Sequence, residues 1–120
     1  MRVLFLDDDP NRWKSFSREV IGKAEPVWVE TAKDAIDQLK TNGPFNIIFL
    51  DHDLGGKIYA PSGEGTGWEV AKWIVDNIED PCRVIVHSMN PVGARNIKDL
   101  IPEAEIIPFH LLLTTLIDGK

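Results

Sequence analysis

Short apolar runs recur along this chain, and after each of them the apolar residues fall at helical spacing. The runs are residues 3–6 (Val-Leu-Phe-Leu), 27–29 (Val-Trp-Val), 47–50 (Ile-Ile-Phe-Leu), 84–86 (Val-Ile-Val) and 106–107 (Ile-Ile). Runs so short, apolar without alternation, are what strands buried on both faces require. The segments between them carry helix signals. Asp9 can cap a helix entered at Pro10, with Trp13, Phe16, Val20 and Ile21 on one side. Thr31 with Asp34 reads as a capping box before Ala32, Ala35, Ile36 and Leu39, and Asn42-Gly43-Pro44 ends that helix. Thr66 with Glu69 opens a third helix along Val70, Trp73, Ile74 and Ile78, and Asn90-Pro91 a fourth along Val92, Ile97, Leu100 and Ile101. A last helix runs to about Asp118. Five strands and five helices in strict alternation predict an α/β fold: a parallel sheet, helices on both faces and right-handed crossovers.

A length of 120 residues suits one domain, read as spanning 1–120, with no repeat, low-complexity tract or linker. The formal net charge of −6 argues against an extended nucleic-acid groove, which needs clustered Lys and Arg. It leaves room for one phosphate end held in a pocket. Cys82 is the only cysteine, so no intrachain disulfide can form, and its place before a strand reads as buried filler rather than a nucleophile. Asp7 cuts the first apolar run too early for a signal peptide, and residues 111–117 are too few to span a bilayer. The expectation is a cytoplasmic protein with no membrane partner.

In such sheets the working residues gather at the carboxyl ends of the strands. Here those ends carry Asp7 and Asp8, then Asp51, His52 and Asp53, then His87 and Ser88. Carboxylates brought together repel one another unless a cation lies between them. Oxygen donors without thiolates favour Mg²⁺. The plainer reading is that these aspartates cap helices and turns. It suits Asp9, whereas Asp7, Asp8 and Asp51 together read as a site.

The segments VLFLDDDP (3–10), IIFLDHDL (47–54), TGWEV (66–70), VIVHS (84–88) and IPF (107–109), in this order and spacing, resemble the receiver domains of response regulators. That resemblance spans nearly the whole chain. It implies a flavodoxin-like (βα)5 three-layer sandwich with sheet order 2-1-3-4-5, and a Mg²⁺ site made by Asp7, Asp8, Asp51 and the backbone carbonyl of Asp53. It also implies that Asp51 is the nucleophile toward phosphorus and that Ser88 donates to a phosphoryl oxygen.

Ile107 falls where receivers have an invariant lysine, which puts ordinary signalling in doubt. Two histidines adjoin the site instead. His52 follows Asp51 and could bind phosphate or move a proton. His87 precedes Ser88, and strand alternation would turn its side chain away, so a hydrogen-bonded core histidine is its rival reading. Residues 55–65 form a glycine-rich loop longer than the usual receiver turn, read as a flap whose Lys57 could replace the missing cation. Arg12 reads as a salt bridge to the acidic triplet or a phosphate contact, Asn90 as a helix cap, His110 as a surface residue, and Trp68 as a packing residue or a base-stacking one. Leu111, Leu112, Leu113, Leu116 and Ile117 make the last helix apolar on more than one face, suiting burial or a homodimer contact.

LDHDLGG and HSMNPVGA together look more like a divergent receiver branch described as cyclic-phosphate-processing. Three functions compete on these residues. The first is a metal-dependent hydrolase of cyclic phosphate ends, on a nucleotide or nucleic-acid end, with Asp51, His52, His87 and Ser88 as its catalytic group. The second is a stand-alone receiver phosphorylated on Asp51 by a sensor kinase. The third is a pseudo-receiver working only through a protein partner.

Overall fold

The apolar runs become the strands of a single five-stranded parallel sheet in the order β2-β1-β3-β4-β5. A computed structural model of the chain describes residues 1–55, 60–79 and 82–112. The strands are β1 (Arg2–Leu6), β2 (Glu25–Val29), β3 (Ile47–Leu50), β4 (Arg83–Val86) and β5 (Glu105–Ile106). The helices are α1 (Pro10–Val20), α2 (Ala32–Asn42), α3 (Gly67–Asn77) and α4 (Pro91–Leu100), and a fifth opens at residues 109–112. Leu113, Leu116, Ile117 and Asp118, which the sequence reading assigns to the last helix, lie outside the described residues. This is the flavodoxin-like receiver architecture that the sequence predicts.

Alternation along the strands divides the core in two. Leu4, Leu6, Ile48, Leu50, Val84 and Val86 face one side and pack with α2, α3 and α4 through Leu39, Val70, Ile74 and Ile97. Val3, Phe5, Ile47, Phe49 and Ile85 face the other, against Phe16 and Val20 of α1 and Leu112. Phe5, Phe16 and Phe49 have no exposed surface, and each such side chain contributes roughly 1.5–3 kcal/mol by burial. Phe5 and Phe16 stack with centroids 4.1 Å apart. Among the described residues no helix is long and apolar enough to cross a membrane.

Four strands differ in their bounds from the sequence reading, β1 and β4 only by starting one residue earlier, at Arg2 and Arg83. β2 begins at Glu25 rather than 27, because it is an edge strand and tolerates the missing N–H of Pro26, which sits in register with Val3. β5 holds Glu105 and Ile106, so Ile107 lies beyond it. Glu105 joins the edge because its carboxylate takes both Arg83 Nε (2.6 Å) and Arg83 Nη2 (3.0 Å) from β4. Cys82 is half-buried against the core, and burial pushes its thiol up.

The ladder runs one residue past the strands. Asp51 N–H donates to Leu6 O at 3.1 Å, His87 N–H to Leu50 O at 3.0 Å and Ile107 N–H to Val86 O at 2.9 Å. With Leu6 opposite Leu50 and Leu50 opposite Val86, the next residues in line are Asp7, Asp51 and His87.

Candidate functional site

Asp7, Asp51 and His87 share a parity. Each follows a strand's last core residue and so continues the sheet face of Phe5, Phe49 and Ile85. All three are buried, and one ligand atom from each lies within 4.8 Å of the others. The expectation that alternation turns His87 away is therefore corrected. His87, not Ser88, shares the parity of Ile85 and so faces Asp7. His87 Nε2 lies 2.9 Å from Asp7 Oδ2, and its ring stacks on Phe5 with centroids 4.9 Å apart. A carboxylate only accepts, so Nε2 carries the hydrogen; Nδ1 is buried with no partner among the described residues.

Arg12, in the first turn of α1, supplies the local cation. Its Nε and Nη2 grip Asp7 at 2.8 and 2.9 Å in a bidentate pair, Nη1 lies 3.7 Å from Asp9 and Nη2 lies 3.4 Å from Asp51. The salt bridge to the triplet is thus present. Trp28 Nε1 braces the same turn by donating to the Asp7 carbonyl at 2.8 Å. Asp9 caps α1, its carboxylate accepting Asn11 N–H. Ile107 contributes no charge and packs with the Phe5 cluster.

The two central carboxyls move in opposite directions. Burial alone would raise Asp7, but hydrogen bonds from His87 and Arg12 and the N–H of Asp9 hold it below the ordinary carboxylate range. Asp51 lacks such donors. Burial pushes it up to about 6, the charges of Asp7 and Asp8 push the same way, and His87 and Arg12 only partly offset them. A dry pocket holding one ionised carboxylate beside another that resists ionisation is a field that a divalent cation would relieve. The all-oxygen donors of Asp7, Asp8 and Asp51 fit Mg²⁺. Asp8 itself is half-buried and outside the tight cluster.

The other predicted residues gather on the opposite sheet face, beneath α4. His52 has no exposed surface. Its Nδ1 meets Asp53 Oδ1 at 2.7 Å and its Nε2 meets Ser62 Oγ at 2.9 Å. The Asp53 carboxylate also accepts Ala60 N–H (3.2 Å) and Asn90 Nδ2 (3.1 Å), while Asn96 Nδ2 donates to Ser62 Oγ at 2.8 Å. His52 thus pins the glycine-rich loop to α4. Asn90 caps α4 as predicted, its Oδ1 accepting Gly93 N–H at 3.0 Å, and Ser88 Oγ accepts Asn90 N–H at 3.0 Å. Ser88 thereby shapes the turn into α4. Trp68 packs on the core and His110 is exposed. Lys57 and the rest of 56–59 lie outside the described residues. Ser62 and Asn96 were not singled out by sequence reasoning; without a motif, only the fold brings them to His52.

The receiver domain of a putative LuxO repressor protein from Vibrio parahaemolyticus superposes with a TM-score of 0.71 at 25% identity, covering 96% of this chain and 85% of its own. The receiver domain of the stress response regulator RcsB from Escherichia coli gives 0.74 at 22% identity, with 99% and 88% coverage. A CheY-like receiver domain from Methylobacillus flagellatus gives 0.66 at 13% identity, with 97% and 98% coverage. No curated protein matches the sequence. The family model described as "Cyclic-phosphate processing Receiver domain" matches residues 2–103. Since that match runs from β1 through β4 and α4, and covers well over half of the sequence, this chain belongs to the cyclic-phosphate processing receiver family.

Proposed function

We propose that the protein is a Mg²⁺-dependent phosphate-processing receiver that acts on a cyclic phosphate end of a nucleotide or RNA. The observation that carries this reading is the buried cluster of Asp7, Asp51 and His87 at the carboxyl end of the sheet. Asp7, Asp8, Asp51 and the backbone carbonyl of Asp53 are the groups proposed to hold the metal. Bound there, Mg²⁺ would neutralise phosphate charge and polarise a P–O bond.

Asp51 is the proposed nucleophile: its carboxylate oxygen bonds to phosphorus in line with the ring oxygen, whose bond to phosphorus breaks, and water then cleaves the aspartyl phosphate, releasing the linear phosphate and restoring the carboxylate. The leaving oxygen takes its proton from water, and His87, hydrogen-bonded through Nε2–H to Asp7 inside the cluster, is proposed to keep that carboxylate in place beside Asp51. His52 is proposed to support the site's shape, since both ring nitrogens are engaged elsewhere, whereas Ser88, whose oxygen accepts Asn90 N–H, keeps its hydroxyl hydrogen for a phosphoryl oxygen. The apolar packing of Ile107 supports a departure from ordinary receiver signalling.

A paired assay tests this reading. The protein with Mg²⁺ is offered 2′,3′-cyclic and linear phosphates while products are followed; in parallel it receives a small phosphodonor, and intact mass is read for an adduct. Turnover of the cyclic ester that is lost in Asp51→Asn is the expected result. A stable adduct without turnover would instead mark a receiver phosphorylated on Asp51, for which a sensor kinase is the natural donor. Silence in both arms would leave a pseudo-receiver that works through a protein partner.

A further inference from the structure

Asp7 has no acceptor position to spare. A carboxylate offers about four lone-pair directions, and four donors fill them: Asp9 N–H at 2.9 Å and Arg12 Nη2 at 2.9 Å on Oδ1, Arg12 Nε at 2.8 Å and His87 Nε2 at 2.9 Å on Oδ2. A metal that takes an oxygen of Asp7 must displace one of these donors. The Asp9 N–H is fixed by the turn into α1. His87 is held by the sheet and by its stack on Phe5. Arg12 can leave, because it stands at the surface on a flexible stem with 31% of its side chain exposed. Its natural destination is close: Nη2 already lies 3.4 Å from Asp51 Oδ2. At the end of β5, Ile107 offers no competing cation there.

We infer that Arg12 is an exchangeable cation, which neutralises Asp7 until a metal enters and then carries its guanidinium to a phosphate oxygen held beside Asp51. The inference rests on the phosphate-processing reading of the site and names the group that does the work of the absent lysine. A planar guanidinium suits both ends of this exchange, since it meets carboxylate and phosphate alike through two parallel N–H bonds. Exchange rather than simple addition also keeps the cluster's charge from swinging far in either state.

Arg12 therefore opposes the metal and assists the anion, and the two effects separate in binding measurements without any turnover. Mg²⁺ is titrated calorimetrically at pH 8 into the wild type, Arg12→Met and Arg12→Lys. Inorganic phosphate is then titrated into each Mg²⁺-saturated protein. Arg12→Met is expected to bind Mg²⁺ roughly three- to tenfold more tightly, as the loss of a half-exposed competing ion pair implies. The same variant is expected to bind phosphate about tenfold more weakly, having lost a bidentate charge-assisted contact. Arg12→Lys keeps the charge without the fork and should fall between the two, which serves as the test should the Met variant not fold.

Mg²⁺ affinity unchanged or weakened in both variants would overturn the exchange. Phosphate affinity equal to the wild type's, or absent from the wild type itself, would overturn the role at phosphate. A wild type that takes up no Mg²⁺ would mean that the reading of the site has failed, an outcome distinct from either of these.

Discussion

Asp7 and Asp51 end adjoining strands and are equally inaccessible, yet one is stabilised as an anion and the other is not. The difference lies in donors: Asp7 collects four, whereas Asp51 has the distant edge of Arg12. This has a sign that can be checked. Asp51 ionises near pH 6 when folded and near the ordinary 3.8 when unfolded, so between those values the folded state binds more protons. Stability from this group therefore falls as pH rises through that window, and the full cost is present by pH 7. Asp51→Asn removes the charge and should raise stability at pH 7.5, in the presence of chelator, by about 2–3 kcal/mol. The gain should fade as pH falls toward 4. Denaturant melts at both pH values test this; a constant gain would show that the effect is not ionisation. Asp7→Asn should do the opposite. It strips the partner from a buried imidazole and a guanidinium, and a loss of about 2–4 kcal/mol is expected at pH 7.5.

At the level of elements, two glycines let helices approach the strand-end segments. A Cβ on Gly67 would lie 2.0 Å from the Asp51 carbonyl oxygen, and one on Gly93 would lie 2.4 Å from the His52 ring. Exchange of glycine for alanine inside a helix ordinarily stabilises by up to about 1 kcal/mol. Here the overlap decides against it, and Gly67→Ala and Gly93→Ala should each destabilise by about 2–4 kcal/mol. For Gly93 the obstacle is a side chain, so its cost should shrink when His52 is also made Ala; for Gly67 the obstacle is backbone, and no such rescue is expected. Melts of the three single and two double variants measure the coupling. Much of this level was legible in the sequence, because strands buried on both faces are written as unbroken apolar runs and because Asp9, Thr31, Thr66 and Asn90 announce their helices. Asp7 and Asp51 were legible for the same reason, as charges placed directly after such runs. The inward turn of His87 was not, since alternation places either His87 or Ser88 on the face of Asp7 and Asp51, and one step reverses every side chain. The ties of His52 to Ser62 and of Arg12 to Asp7 depend on loop path and rotamer. Local spacing encodes neither.

For the molecule as a whole, the sheet order sets where these groups can act together. β1 and β3 lie side by side, and the chain leaves β1 toward β2 and β3 toward β4, so the order reverses between their carboxyl ends, where Asp7 and Asp51 stand together. The rest of the surface does not help an anion to reach them. A formal charge of −6 repels phosphate at long range, and Arg12 is already engaged with Asp7. On the proposed reading, metal prepares the site before phosphate occupies it, and metal competes with a proton on Asp51. Binding only to the folded state, Mg²⁺ at a hundred times its Kd should add about 2.7 kcal/mol of stability, a rise in Tm on the order of 10 °C for a domain this size. At pH 8 Asp51 is ionised and the full rise is expected. Below the value of about 6 at which it protonates, apparent affinity should drop by about tenfold per pH unit, so at the same Mg²⁺ concentration the rise should be about halved at pH 5. Thermal melts with and without Mg²⁺ at the two pH values, for the wild type and Asp51→Asn, decide the matter. An equal rise at pH 5 and pH 8, or one retained in Asp51→Asn, would place the metal away from β1 and β3 and separate the acidic strand ends from phosphate chemistry.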